Sequence, residues 1–395
     1  MKTFKKTIVF YIRILFISFL VAYNDIHPNS ENQGSIAKGT ARAGSMTKPQ
    51  WLHTATLLKN GKVLIVGDGA ELYDPKKDKF ESIDSRTKKR YLHKAILLKN
   101  GKVLICDGFS NFKFTIFDNS VELYNPDTNT FSQAGNMNEQ RRNFSATLLN
   151  SGKVLLMGGY DLDFRVLSSA ELYNPDINIF STTGSLKKTR FFLGDSSVLL
   201  KDGNVLTGIS FSGKAENLKK GTSANLISEI ELYDSENGTF SNVGQINLWQ
   251  PRKTMSFDNG KVFVVNSSGL QNKGTEITIF NPKSKKFTRI KQYLTLDFSY
   301  EFTKFQNRFV LFSGGKSTEK YTAAISKLEV FDSGVEKVLD AGNMMTPRYN
   351  HRATLLQDGR ILITGGCTED IAGDTEAHAG IFEISALSSA EIYSP

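Results

Sequence analysis

Cysteine is nearly missing from this chain: Cys106 and Cys367 are the only two in 395 residues. So few cannot staple a disulfide scaffold. Proline is also scarce, nine in all, which excludes a collagen or a Pro-rich linker protein. No Cys-x-x-Cys pair, no His-Glu-x-x-His and no glycine-rich loop ending in Lys-Ser/Thr occurs, so zinc-finger, metalloprotease and P-loop chemistry have no footing. Asp161-Leu162-Asp163 lacks the rest of a calcium loop.

Glycine (32), phenylalanine (28) and tyrosine (13) are abundant, a balance that favours strands and turns. Charged residues at 23% and hydrophobic residues at 39% describe a folded chain. The net charge is +9, yet Lys2, Lys5, Lys6 and Arg13 with no acid lie in residues 1–23, and without them the excess is +5. A basic start followed by an apolar stretch (residues 14–22) is the layout of a secretory signal peptide. From Ile8 to Tyr23 there are 16 residues, interrupted by Arg13, fewer than the roughly 20 a spanning helix needs. An uncleaved N-terminal anchor is the alternative. No cysteine follows that would carry a lipid. Residues 24–39 read as a flexible tail, and the protein is expected to be secreted or held in the cell envelope.

The rest of the chain repeats. A run like Ala-Thr-Leu-Leu, two polar residues, Gly-Lys and an apolar run ending in a glycine pair recurs at 53–69, 93–108, 144–159 and 351–366, with weaker copies at 195–210, 254–267 and 301–315. An Ala-Glu-Leu-Tyr-Asn-Pro pattern follows each copy, as at 170–175, and then a phenylalanine precedes a glycine, as in Phe131 and Gly135. Aligned on Gly61, Gly101, Gly152, Gly203, Gly260, Asn307 and Gly359, the spacings are 40, 51, 51, 57, 47 and 52. That period suits a four-stranded propeller blade. Each unit reads as strands a to d. Asn-Gly or Asp-Gly between a and b predicts a two-residue hairpin, and Asn/Asp-Pro closes strand c. The last unit stops after its strand c. Residues 40–46 resemble a strand d and are expected to complete that blade, closing the ring without an exposed edge. The fold class is therefore all-β: one seven-bladed β-propeller over residues 40–395, closed by an N-terminal outer strand.

These repeats resemble the kelch-repeat β-propeller family. The glycine pairs (Gly158-Gly159, Gly314-Gly315, Gly365-Gly366), the tyrosines after them (Tyr73, Tyr124, Tyr173, Tyr233, Tyr393) and the Arg-x-x-His starts (Arg90 to His93, Arg348 to His351) carry the likeness. It implies the fold and leaves function open, because kelch propellers serve both as binding modules and as enzymes.

Strand direction puts the a–b and c–d turns on one face and the b–c loops and d–a connections on the other. The b–c loops vary most: almost none in blade 1, a long one in blade 4 and the longest, 367–389, in blade 7. Variable loops on a rigid scaffold are where ligands are usually met, so Asp370, Asp374, Glu376 and His378 are candidate binding residues. Arg90, Arg141, Arg190, Arg252 and Arg348 stand at the starts of strand a on the same face. They are either a carboxylate- or sulfate-binding row at the channel mouth or ties that hold the blades together. His53, His93 and His351 occupy equivalent positions in neighbouring blades and read as structural, so no metal or other cofactor is expected.

The resemblance extends distantly to the central propeller of galactose oxidase. That family's copper site uses a tyrosine cross-linked to cysteine and a histidine on an appended C-terminal domain. Here no Tyr-His dipeptide occurs, neither cysteine has an evident tyrosine partner, and no appended domain is expected after Pro395. A mutarotase- or epimerase-like enzyme using the channel mouth, with Glu301 or Glu319 as acid or base, is the alternative to a module that binds a protein or glycan. The lysine runs fall in turns and look dispersed, so no nucleic-acid partner is expected, nor a membrane beyond the possible N-terminal anchor. The two cysteines, in blades 2 and 7, are expected to be free and buried, and the protein to be a monomer.

Overall fold

The computed structural model describes residues 36–83, 89–110, 120–163, 165–191, 196–207, 211–212, 227–247, 249–267, 275–295, 300–315, 324–370 and 384–395. They form seven four-stranded antiparallel sheets, and two short two-stranded ribbons besides. Blade 1 is Thr54–Leu57, Val63–Gly67, Gly69–Asp74 and Lys79–Ser82. Blades 2 to 6 span 94–133, 145–182, 198–247, 249–294 and 301–343. Blade 7 is Arg352–Leu355, Ile361–Thr364, Ala390–Tyr393 and, as its outer strand, Ala41–Arg42 from the other end of the chain. Ala41 pairs with Ile392 and Arg42 with Glu391, so the ring closes as the sequence predicts.

In blades 1, 2, 3 and 7 strand b is a fully buried run, mostly aliphatic, as in Val63–Gly67 and Val154–Met157, because both faces of the sheet are covered by the neighbouring blades. Cys106 and Cys367 are buried free thiols. The last residues before the first strand pack against the ring. Ile36 packs against the core between blades 6 and 7, Ala37 O accepts from Tyr393 Oη at 3.1 Å, and Gly39 N donates to Ala341 O at 2.8 Å.

The a–b hairpin is one residue longer than predicted. Gly61 N donates to Leu58 O at 3.0 Å and Leu58 N to Lys62 O at 2.8 Å, enclosing a three-residue loop. Only Gly61 is left-handed, at φ +85°; Asn60 is not. This is a type I turn followed by a glycine bulge. The asparagine serves through its side chain: Asn60 Oδ1 accepts from Lys62 N at 3.1 Å, and Asn100, Asp202, Asn259 and Asp358 do the same at their turns.

The other repeat signals also acquire physical reasons. The strand c tyrosine stacks on the strand d phenylalanine, Tyr73 on Phe80 at 4.7 Å and Tyr173 on Phe180 at 4.8 Å between centroids. Its hydroxyl donates to the residue that ends the c–d turn, Tyr73 to Asp78 and Tyr173 to Asn178, each at 2.8 Å. Those same side chains accept Gly44 N at 3.0 Å and Gly135 N at 2.9 Å from the preceding strand d. A Cβ on Gly135 would lie 2.3 Å from Asn178 O, so the phenylalanine-to-glycine spacing marks a backbone contact between blades.

Candidate functional site

The loop face of the ring, where strands a begin and strands b end, is built in two layers. The deeper layer contains the arginine row. Arg90, Arg141, Arg190 and Arg348 are almost wholly enclosed, at 1% exposure or less. Arg348 Nη1 donates to Gly365 O at 2.8 Å and Ser389 O at 3.1 Å, and Nη2 donates to Glu391 Oε1 at 2.6 Å. Arg141 repeats this with Gly158 O, Ser169 O and Glu171, and Arg90 with Asp107 O, Ser120 O and Glu122. Arg190 meets Glu231 Oε1 at 3.0 Å. The guanidinium groups of Arg90, Arg141 and Arg348 thus bridge the exit of strand b to the start of strand c in their own blades, and Arg190 holds strand c through Glu229 O and Glu231. Of the two readings left open for the row, these four arginines fit the structural ties: they clasp blades shut. Arg252 lies on the strand Trp249–Ser256. Asp370 ends the strand Cys367–Asp370, and Asp374, Glu376, His378 and Glu319 lie outside the described residues.

The partner carboxylate is the glutamate of Ala-Glu-Leu-Tyr. It also holds the chain arriving from the preceding blade: Glu391 accepts Met345 N at 2.7 Å and Thr346 N at 3.0 Å, and Glu171 accepts Asn138 N and Glu139 N likewise. Burial pushes the Glu391 carboxyl up, but the Thr40 hydroxyl, the Arg348 charge and these amides outweigh it and hold it below the usual carboxylate range. In blade 1, Gln50 takes the arginine's place and Glu71 keeps the amides of Thr47 and Lys48.

The three histidines sit at blade seams. Nε2 of His53 meets Thr364 Oγ1 at 2.9 Å, His93 meets Thr54 Oγ1 at 2.8 Å, and His351 meets Ser313 Oγ at 2.8 Å, each across to an adjacent blade. Burial, then the nearby charge of Arg90 and Arg352, pushes His93 down to about 3. Burial does the same to His53 and His351, so all three are neutral struts between blades near neutral pH.

The upper layer is one aligned position near the start of each strand a: Thr54, Lys94, Ser145, Ser196 just before Val198–Leu199, Lys253 within Trp249–Ser256, Glu301 and Arg352. They become visible in the sequence only when the seven inner strands are aligned on their turns. Glu301 is the hub. Lys253 Nζ reaches Glu301 Oε2 at 2.5 Å from blade 5, and Arg352 Nη1 reaches its other oxygen from blade 7. Arg352 Nε continues to His53 O in blade 1 at 2.6 Å. With both oxygens taken by cations, Glu301 braces blades 5 to 7 around the channel. On the other side, Trp51, Tyr91, Tyr349 and Phe109 cluster over the seams of blades 7, 1 and 2.

Two ribbons are added on the same rim: Arg190–Phe191 with Phe211–Ser212 in blade 4, and Cys367–Asp370 with Ile384–Ala386 in blade 7. In blade 1, by contrast, Gly67 pairs directly with Gly69.

This architecture has known counterparts. A fungal alcohol oxidase of the AA5 family, solved in complex with copper, superimposes with a TM-score of 0.67 at 15% identity, over 90% of this chain and 76% of that one. The fold is that of a kelch propeller. No protein-family model matches the chain, and no curated protein does. At this identity the likeness concerns the fold alone. A copper centre finds no ligand set among the described residues, where no group of three or more His, Cys, Asp or Glu is positioned for a metal.

Proposed function

We propose that this kelch propeller is an exported binding module that holds a protein or glycan ligand on its loop face. The observation that carries this reading is the inequality of the two faces. Six blades share the same glycine-bulge a–b loop, at Gly61, Gly101, Gly152, Gly203, Gly260 and Gly359, whereas the b–c connections run from a direct Gly67–Gly69 turn to the added ribbons of blades 4 and 7. Irregular, elaborated loops on an otherwise periodic scaffold are the usual seat of recognition. Export rests on the basic and apolar leader of residues 1–23. A sugar-modifying enzyme of mutarotase or epimerase type draws less support, because the arginines it would use on a carboxylate are enclosed in their blades and Glu301 is held between Lys253 and Arg352.

A screen of immobilised glycans and envelope proteins tests the reading, run with the wild type and with a variant in which residues 371–383 are replaced by a short Asn-Gly turn. The expected result is a defined ligand that the shortened variant loses while its melting temperature stays. Undiminished binding by the variant would remove the blade 7 loop from the site.

A further inference from the structure

The turn face has a charge pattern that the loop-face reading does not use. In the four residues of each a–b turn, from 59–62 round to 357–360, nine Lys and Arg stand against three Asp. In the c–d turns, farther from the axis, seven basic residues meet eight acidic ones. The inner collar therefore carries a surplus of six, against +5 for the whole chain beyond its leader. The lysines that look scattered along the sequence are gathered by the ring into one annulus.

The collar is linked from blade 7 through blades 1 and 2 to blade 3. The residue before the turn asparagine reaches round to the next blade: Gln357 Nε2 donates to Lys59 O at 3.1 Å, Lys59 Nζ to Lys99 O, and Lys99 Nζ to Asn150 O. Carbonyl partners fix these ammonium groups in place without cancelling their charge. Lys102 and Lys153, after the bulge glycines, and Lys201, before one, make no ion pair among the described residues. The collar's two arginines are spent on carboxylates, Arg308 on Asp332 and Arg360 on Asp358. Lys62 and Lys261 lie 4.0 and 3.8 Å from Asp74 and Glu336, so the collar lysines without a carboxylate partner among the described residues are Lys59, Lys99, Lys102, Lys153 and Lys201 of blades 1 to 4, strongly hydrated point charges suited to diffuse phosphate, without the fork that reads one anion bidentately.

We propose that this collar docks the propeller, turn face down, on an anionic lipid surface. The geometry favours a bilayer over a linear acidic chain. The bulged loops project to a similar depth because they share the same hydrogen bonds, so a plane meets all of them at once. A Lys or Arg near an anionic leaflet contributes about a factor of five to partitioning, and the contributions accumulate over a patch. Docked this way, the elaborated loop face points away from the membrane. The proposal does not depend on what that face binds.

The test uses the chain from residue 24, which contains every strand of the ring. Co-sedimentation is measured with vesicles of phosphatidylcholine containing about 30% phosphatidylglycerol and with pure phosphatidylcholine. Binding only to the anionic vesicles, weakened strongly between about 0.1 M and about 0.5 M salt, is expected. Lys102→Gln, Lys153→Gln and Lys201→Gln together should lower the partition coefficient by about two orders of magnitude with an unchanged melting temperature. Lys48→Gln, Lys187→Gln and Lys188→Gln, removing the same charge from the d–a connections, should lower it several-fold less. No binding to anionic vesicles at low salt would overturn the proposal. So would equal losses from the two triple variants, which would make the effect one of net charge, or capture by soluble heparin without capture by vesicles, which would point to an acidic polysaccharide.

Discussion

Blades 7, 1, 2 and 3 differ from blades 5 and 6 in how the same four-stranded unit is locked. In the first group, buried arginine-glutamate clasps, glycine exits and seam histidines do the work, with Gln50 standing in for the arginine in blade 1. In the second, strands lengthen to Lys286–Leu294 and Trp249–Ser256, and the core is aromatic: Phe257, Phe263, Phe312, Phe331 and Tyr300 pack as one cluster. Phe263 alone contacts four other phenylalanine rings within 6.3 Å. A propeller blade can thus be closed by polar bonds that demand particular residues at particular spacings, or by apolar bulk that tolerates exchange. Only the first kind leaves a sequence signature, and for that reason the kelch pattern fades in blades 5 and 6 while the sheet persists.

That contrast can be broken from both sides. Arg141→Ala leaves Glu171 buried without its cation and should cost about 3–5 kcal/mol in urea unfolding, and Phe263→Ala should cost about as much by opening a cavity. The two should differ on rescue: adding Glu171→Leu to Arg141→Met should recover much of the loss, since a clasp can be replaced by apolar packing. Failure of that rescue would mean the amides of Asn138 and Glu139 need the carboxylate more than the arginine does. Gly135→Ala should cost about 1–3 kcal/mol in the same assay, because its Cβ would press on Asn178 O.

Acid should act on the histidine-bearing seams first. His53, His93 and His351 are held below their unfolded value of 6.5, so the unfolded chain binds more protons and stability falls as pH drops. The loss should begin near pH 6.5 and run down toward about 3 for His93, with Glu391 adding only below its own unfolded value of 4.5. Melting temperature against pH checks this. His93→Gln should flatten the slope between pH 6.5 and 4.5, and an unaltered slope would move its cause away from the seam. The smallest effect concerns ring closure: removing residues 36–46 deletes a strand of two residues, and should lower the melting temperature by several degrees.

Much of the ring was legible because its period, its glycines and the strand-like match of residues 40–46 are local signals. The a–b turn was misjudged by one residue because Asn-Gly also serves a bulged loop, in which asparagine caps through its side chain. The arginine row was legible as a row, with both an anion site and structural ties open, but its partners were not. Its partners, Glu122, Glu171, Glu231 and Glu391, lie some 30–43 residues away, and pairing one arginine with one Ala-Glu-Leu-Tyr glutamate per blade would have pointed inward. The Lys253–Glu301–Arg352 hub joins three blades and had no sequence signal beyond the alignment of strand a starts.

The central claim is that the charged row is spent inside the blades and the irregular loops meet the ligand. Binding on one glycan and protein array separates the two roles. The Arg141→Met/Glu171→Leu protein should bind as the wild type does, and the variant shortened at 371–383 should not. Loss of binding in the first with retention in the second would contradict the account.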